Sequence, residues 1–195
     1  MTKMYFAENP DAKHDIHKLK VELLGQQMTF LTDAGVFSKK MIDYGSRVLL
    51  SALEFNKKET LLDVGCGYGT LGLTLAKAQE LEVTLVDINQ RALDLARKNA
   101  DANQVSADIF QSNVYEHVTG QFHHIISNPP IRAGKQVVHE VISGSYDHLL
   151  VDGDLTIVIQ KKQGAPSAKA KMEEVFGNCE TLKKDKGYYI LRSVK

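Results

Sequence analysis

The sequence predicts an α/β domain built on a mostly parallel sheet with helices on both faces. Three observations predict it. From about residue 57 onward, short apolar runs alternate with segments of helical period. Gly65, Gly67 and Gly69 cluster where the first of those runs gives way to a helix. The last two runs are joined by Lys184-Asp185-Lys186-Gly187, the turn of a closing antiparallel hairpin.

A chain of 195 residues suits one such domain with a small addition. We therefore divide it into an N-terminal extension, 1–56, packed on a catalytic domain, 57–195. In the extension, Asn9-Pro10-Asp11 is a turn signal, and Val21–Leu24 with Met28–Leu31 around Gly25 reads as a hairpin. Met41, Ile42, Val48, Leu49 and Leu53 recur at roughly helical intervals, which predicts a helix over 39–53.

In the catalytic part, Thr60–Val64 is a short apolar run of the kind buried in parallel sheets. Leu71, Leu73, Leu75 and Ala76 belong to the helix after it. Leu81–Val86 forms the second strand, closed by Asp87, and Asn89 caps a helix whose Ala92, Leu95, Ala96 and Ala100 make one apolar stripe. Asp108–Phe110 and His124–Ser127 are the third and fourth strands. A helix over 135–150, a strand at Leu155–Ile159, a helix at Ser167–Phe176 and strands at Glu180–Lys183 and Tyr188–Leu191 complete the pattern. Tyr188 reads as core and Tyr189 as surface.

Composition narrows the function classes. Lysine plus arginine total 24, as do aspartate plus glutamate, so no net charge draws the chain to nucleic acid, though a local basic face stays open. No apolar run nears the roughly 20 residues that span a bilayer. Met1–Tyr5 leads into polar sequence, unlike the apolar core of a signal peptide. Cys66 and Cys179 lack the paired spacing of a zinc site, so no metal is expected and a reducing cytoplasm fits.

The glycine cluster marks a ligand site. It lies at the carboxyl end of a strand, where open α/β sheets bind ligands, and leaves no side chains in a ligand's way. Two ligand classes fit. Gly67-Tyr68-Gly69-Thr70-Leu71-Gly72 satisfies the dinucleotide fingerprint of a nicotinamide-dependent oxidoreductase, with Asp87 at nearly the right separation to meet ribose hydroxyls. Asp63, two residues before the first glycine, is instead placed for the amino group of S-adenosylmethionine. Asn113, just past the third strand, is placed for an adenine rim.

Ser127-Asn128-Pro129-Pro130 tips the choice toward S-adenosylmethionine. Two consecutive prolines fix two φ angles and remove two backbone donors, so carbonyl oxygens are held outward at the sheet rim. The Asn128 amide oxygen and the Pro129 carbonyl can accept both hydrogens of a planar NH2 group. Such a nitrogen is a poor nucleophile because its lone pair is delocalised. Two hydrogen bonds favour the pyramidal form and aim the lone pair at a methyl donor, so catalysis is mostly positioning.

At this point the chain resembles a known family. Leu62-Asp63-Val64-Gly65-Cys66-Gly67-Tyr68-Gly69 and Ser127-Asn128-Pro129-Pro130 are similar to motifs I and IV of class I amino-methyltransferases. Thr32-Asp33-Ala34-Gly35-Val36-Phe37-Ser38, then Asp43, Gly45-Ser46 and Leu49-Leu50, resemble the ribosomal RNA guanine-N2 methyltransferases of the RsmC type, from about Tyr5 to the C-terminus. The resemblance implies a Rossmann-like seven-stranded sheet, S-adenosylmethionine as cofactor and RNA as partner. It implies cofactor contacts at Asp63, Gly65, Cys66, Gly67, Gly69, Asp87, Ile88, Asn113 and Val114, and catalytic roles for Asn128 and Pro129.

One position departs from the pattern. Ile131 stands where many such enzymes carry an aromatic residue that stacks on a flipped base. Phe37 is the candidate replacement, with Pro130, Ile131 and Arg132 lining the base. Arg132, Lys135, Lys161, Lys162 and Lys169 follow the fourth and fifth strands on the same sheet edge, as a phosphate backbone would require. Adenine N6 and a protein glutamine amide present the same planar NH2 and are the alternative acceptors.

Overall fold

A computed structural model describes residues 13–195; Asn9-Pro10-Asp11 and Met1–Tyr5 lie outside the described residues. Among the described residues, nine strands and five α-helices follow one another. β1 (His17–Leu23) and β2 (Gln26–Thr32) form a separate hairpin. Its turn residues Leu24 and Gly25 both have positive φ, 49° and 73°, which matches the twist of a two-residue hairpin loop.

The main sheet comprises β3 (Thr60–Val64), β4 (Glu82–Asp87), β5 (Ala107–Gln111), β6 (Phe122–Ser127), β7 (Leu149–Gln160), β8 (Glu180–Asp185) and β9 (Tyr188–Val194). Their order is β5-β4-β3-β6-β7-β9-β8, parallel throughout except for β9, which is antiparallel to both neighbours. The seven-stranded, doubly wound architecture expected from the sequence is therefore present. Strand order reverses between β3 and β6, and in such sheets a ligand crevice opens at that point.

The central strands are buried on both faces, and successive side chains sort the core into two layers. α1 (Tyr44–Leu50), α2 (Thr70–Gln79) and α3 (Gln90–Asn103) share one face with Leu61 and Leu85, and the hairpin's Met28 and Phe30 join that layer. α4 (Lys135–Ser145) and α5 (Ala165–Phe176) cover the other face over Leu62, Ile125 and Leu155. Among the described residues no helix is long and apolar enough to cross a membrane.

The hairpin is fastened by side chains, not by a strand partner. Asn99 and Asn103, one turn apart on α3, exchange hydrogen bonds with the backbone of β2. Leu31 N–H donates to Asn99 Oδ1 (2.6 Å) and Asn99 Nδ2 donates back to the Leu31 carbonyl (3.0 Å). Asn103 does the same with Thr29 at 2.9 and 2.7 Å. Both amides are buried, so each imitates a ladder pair where the strand edge would lack one.

Two predicted helices are shorter than expected. The helix over 39–53 is confined to Tyr44–Leu50, because Asp43 caps it by accepting from Ser46 N–H. Residues 39–42 are a turn in which Met41 is 69% exposed. The helix over 135–150 stops at Ser145, whose hydroxyl turns back to the Ile142 carbonyl, and β7 begins at Leu149.

Candidate active site

The first wall of the site is the loop from β3 to α2. Gly65 and Cys66 amides both donate to the Val86 carbonyl, at 2.9 and 3.0 Å, which carries the loop across the end of β4. Gly65 and Gly67 have φ of 73° and 56°, and a Cβ built on either meets nothing within 4 Å. The loop thus presents bare backbone to open space. Burial pushes the Cys66 thiol well above its usual range, with Asp87 and Asp63 nearby adding to the rise, so it is an inert part of this wall.

Two carboxylates anchor the loop. Asp87 ends β4, and its oxygens accept from Gly67 N–H (2.8 Å) and Asn89 N–H (2.9 Å). Burial raises its pKa, and these backbone donors pull the other way. Asp63 lies beneath the loop, fully buried, with Oδ2 accepting from Gly72 N–H at 2.9 Å. Its Oδ1 is buried and has no hydrogen-bond partner among the described residues. Burial pushes this carboxyl up to about 7; the Gly72 hydrogen bond opposes that rise, and the Asp87 charge adds to it.

The opposite wall comes from the end of β6. Ser127 Oγ donates to the Val64 carbonyl (2.7 Å), which ties the rim of β6 to that of β3 across the switch point. Asn128 follows at the cavity surface, with Pro129 buried and Pro130 half-buried. The Asn128 Nδ2 donates to Asp43 Oδ2 (3.1 Å) and to Ser46 Oγ (3.0 Å).

These walls enclose one cavity of about 500 Å³. Of the residues singled out from sequence, Gly65, Cys66, Gly67, Asp87, Ile88, Asn113 and Val114 line it beside Asn128 and Pro129. Phe37, Pro130, Ile131 and Arg132 line it too, and Phe37 is 38% exposed at its mouth. Asp63 and Gly69 do not reach the wall: Asp63 is under the loop, and Gly69 is the left-handed residue that starts α2. Val114, a β-branched residue, has φ of 52° where the chain leaves β5, a strain typical of ligand-contacting loops.

Sequence reasoning passed over several wall residues. Asp43 and Ser46 come from the turn into α1, and Tyr188 from β9. Tyr188 is half-buried against the site and not simply core. Gly45 makes the junction possible: a Cβ there would stand 2.7 Å from the Tyr188 ring. At the rim Arg132, Lys135, Lys161 and Lys162 are exposed, whereas Lys169 faces Glu173 along α5 at 3.7 Å.

A doubly wound sheet with a bare glycine cradle at its switch point is an architecture that binds nucleoside cofactors, and Asn128-Pro129-Pro130 forms the rim beside it. Comparison with known proteins makes the assignment specific. Residues 27–192 match the methyltransferase small domain family, and the chain belongs to it. The chain is 44% identical over its whole length to the uncharacterized protein YbxB of Bacillus subtilis, all of which is covered. It is 37% identical to the ribosomal RNA small subunit methyltransferase C of Erwinia tasmaniensis, over 87% of this chain and 50% of that protein. The solved T. thermophilus 16S rRNA N2 G1207 methyltransferase (RsmC), in complex with AdoMet and guanosine, superposes with a TM-score of 0.86 at 29% identity. That match covers 95% of this chain and 52% of the other. The chain thus spans about half the length of the curated methyltransferases it matches.

Proposed function

We propose that the chain is an S-adenosylmethionine-dependent methyltransferase acting on the N2 amine of a guanine in RNA, with ribosomal RNA as the substrate class and the cytoplasm as its compartment. The observation that carries this reading is the Asn128 amide. Its NH2 edge is taken by Asp43 and Ser46, so its oxygen is left, beside the Pro129 carbonyl, as an acceptor for a substrate NH2. The relatives named for ribosomal RNA methylation, and the one solved with AdoMet and guanosine, support the choice of donor and base.

The residues present fit the donor. The open cradle of Gly65 and Gly67 would accept its amino-acid portion, with Gly69 turning the chain into α2 behind it. Asp63 Oδ1, unpartnered beneath the loop among the described residues, would accept from its ammonium once a shift of the loop opens it. Asp87 keeps lone pairs for ribose hydroxyls, and Ile88, Asn113 and Val114 flank the adenine. When bound, S-adenosylmethionine supplies an electrophilic methyl on a sulfonium. Asn128 and Pro129 would hold the acceptor nitrogen toward that methyl through hydrogen bonds to its two N–H groups, and the nitrogen would give up its proton to solvent. Phe37 and Ile131 sandwich the base, Pro130 bounds its edge, and Arg132 with the exposed lysines of the rim meets phosphates.

The test is transfer of radiolabelled methyl to ribosomal RNA and small subunits, followed by nucleoside digestion and mass spectrometry. N2-methylguanosine is the expected product. Methylated adenine or a methylated glutamine would replace the substrate and keep the chemistry. Asn128→Ala is expected to lower the transfer rate by about 100-fold or more, as loss of a transition-state-directed hydrogen bond does; wild-type rates in that variant would remove Asn128 from the mechanism.

A further inference from the structure

The two partners of the Asn128 amide have a consequence for catalysis that the motif itself does not contain. An asparagine side chain is nearly symmetric in shape, and its oxygen and nitrogen exchange places by a half-turn about one bond. One orientation offers an acceptor to the incoming amine; the other offers two donors to a group that itself only donates well, and so repels it. The rim of β6 has nothing of its own to choose between them. The choice comes from the turn into α1: a carboxylate accepts hydrogen bonds and never donates them, so Asp43 Oδ2, 3.1 Å away, admits only the NH2 edge. Ser46 Oγ, 3.0 Å from the same nitrogen, takes the second hydrogen.

From this we infer that Asp43 and Ser46 are positioning residues, which lock the Asn128 amide with its oxygen toward the reacting amine. The inference rests on the proposed amine methylation. Asp43 adds charge to geometry. A negative group behind the NH2 edge polarises the amide and makes Oδ1 a stronger acceptor as positive charge builds on the substrate nitrogen.

The surroundings hold Asp43 in place from two sides. Its Oδ2 also accepts from Ser46 N–H at 3.1 Å, and its carbonyl accepts from Arg47 N–H at 3.1 Å, which fixes it as the cap of α1. The next residue, Tyr44, donates from its hydroxyl to Asp185 Oδ2 at 2.9 Å, Lys186 lies 4.7 Å over the Tyr44 ring, and Gly45 abuts Tyr188. The N-terminal extension and the C-terminal hairpin therefore clamp the one carboxylate that orients the amide. Residues remote from both sequence motifs complete the catalytic rim.

The experiment is a double-mutant cycle. Asp43→Asn keeps a capping side chain and removes the charge; Ser46→Ala keeps the backbone cap and removes one acceptor. Each is measured in the wild-type and in the Asn128→Ala background, by single-turnover methyl transfer and by S-adenosylmethionine affinity. Either change is expected to slow transfer about tenfold with donor affinity within about twofold, the size of one hydrogen bond to a charged or polar group. In the Asn128→Ala background neither is expected to slow transfer further, because both act through that amide.

Wild-type rates in Asp43→Asn and Ser46→Ala, or an equal loss in both backgrounds, would overturn the inference. A wild-type chain that methylates no RNA would count against the proposed function and not against this clamp. The clamp is then read by NMR on the full chain. Slow exchange of the Asn128 side-chain NH2 protons in wild type, and fast exchange in the Asp43→Asn, Ser46→Ala double variant, supports it. Equal exchange in the two refutes it.

Discussion

The two ends of the main sheet are built on opposite principles. At the carboxyl end, a buried carboxylate oxygen, Asp63 Oδ1, has no partner among the described residues, Val114 is held in a left-handed conformation, and the glycine cradle faces open space. At the amino end, charged groups pair with one another. His124 at the base of β6 bridges Asp154 through Nδ1 (2.5 Å) and Glu59 through Nε2 (2.9 Å), and its ring stacks on Phe55 with centroids 3.9 Å apart. Arg192 closes the chain with its Nε 2.6 Å from Asp154 Oδ2. One end pairs its charges with each other; the other keeps one carboxylate oxygen and a bare backbone cradle in reserve. Stability and activity should therefore separate under mutation.

The largest expected effect tests the amino end. Burial lowers the His124 pKa, but hydrogen bonds to Asp154 and Glu59 outweigh it and hold the imidazole above its usual 6.5. Glu59 is pulled down to about 2: burial opposes this, and hydrogen bonds from Asn56 and His124 prevail. His124→Gln breaks both bridges and is expected to cost about 3 kcal/mol, roughly 9 °C in Tm for a chain of this size. Methyl transfer well below that Tm should be unchanged.

The pH dependence follows from the signs. A folded histidine pKa above the unfolded one contributes stability below about pH 6.5 and loses it as pH rises through the folded value. Glu59 contributes fully above its usual 4.5 and loses that as pH falls from there to about 2. The gap between wild type and His124→Gln should thus be widest below about pH 6.5 and shrink as pH rises through the folded histidine value. A gap that holds constant in thermal melts across that range would mean the bridge is neutral.

Next in size is a change at the carboxyl end. Gly67→Ala places a methyl group in the open cradle at a φ of 56°. The left-handed backbone costs about 1 kcal/mol of folding stability in an alanine. Obstruction of the ligand should weaken S-adenosylmethionine binding by about 30-fold, a larger effect than the fold itself feels. Calorimetric titration decides it, since unchanged affinity would reduce the cradle to a turn.

How much of this contrast could be read beforehand depends on contiguity. The glycine loop, Asp87 and Asn128-Pro129 are each local patterns at strand ends, and the alternation of runs places strand ends on one rim. The sheet and the last hairpin were legible for the same reason, whereas the strand order was not read from the sequence. Asp43, Ser46 and Tyr188 were not legible as site residues, because nothing in their neighbourhoods says that α1 and β9 meet at Gly45. Asn99 and Asn103 left a fainter trace: two amides spaced by one turn interrupt the apolar stripe of α3, a pattern that marks a buried polar partner. His124 stands in the sequence only as the start of the fourth strand; its bridging role needs Glu59 and Asp154, which are distant along the chain.

The smallest expected effect sharpens the comparison most, because it bears on the reserve itself. Asp63 is a carboxyl whose folded pKa, about 7, lies above its unfolded value. The folded state therefore holds a proton that the unfolded state releases, and stability falls as pH rises from about 4 until it levels off above about 7. Asp63→Asn has no such titration. Between about pH 5 and pH 8 its Tm should gain on wild type by a few degrees, about 3 °C for each kcal/mol of relief. Saturating S-adenosylmethionine should abolish or reverse that gain, because the donor's ammonium gives the wild-type carboxylate the partner it lacks and gives the asparagine none. A gain that persists unchanged with the donor bound would show that Asp63 braces the loop through Gly72 alone and never meets the ligand.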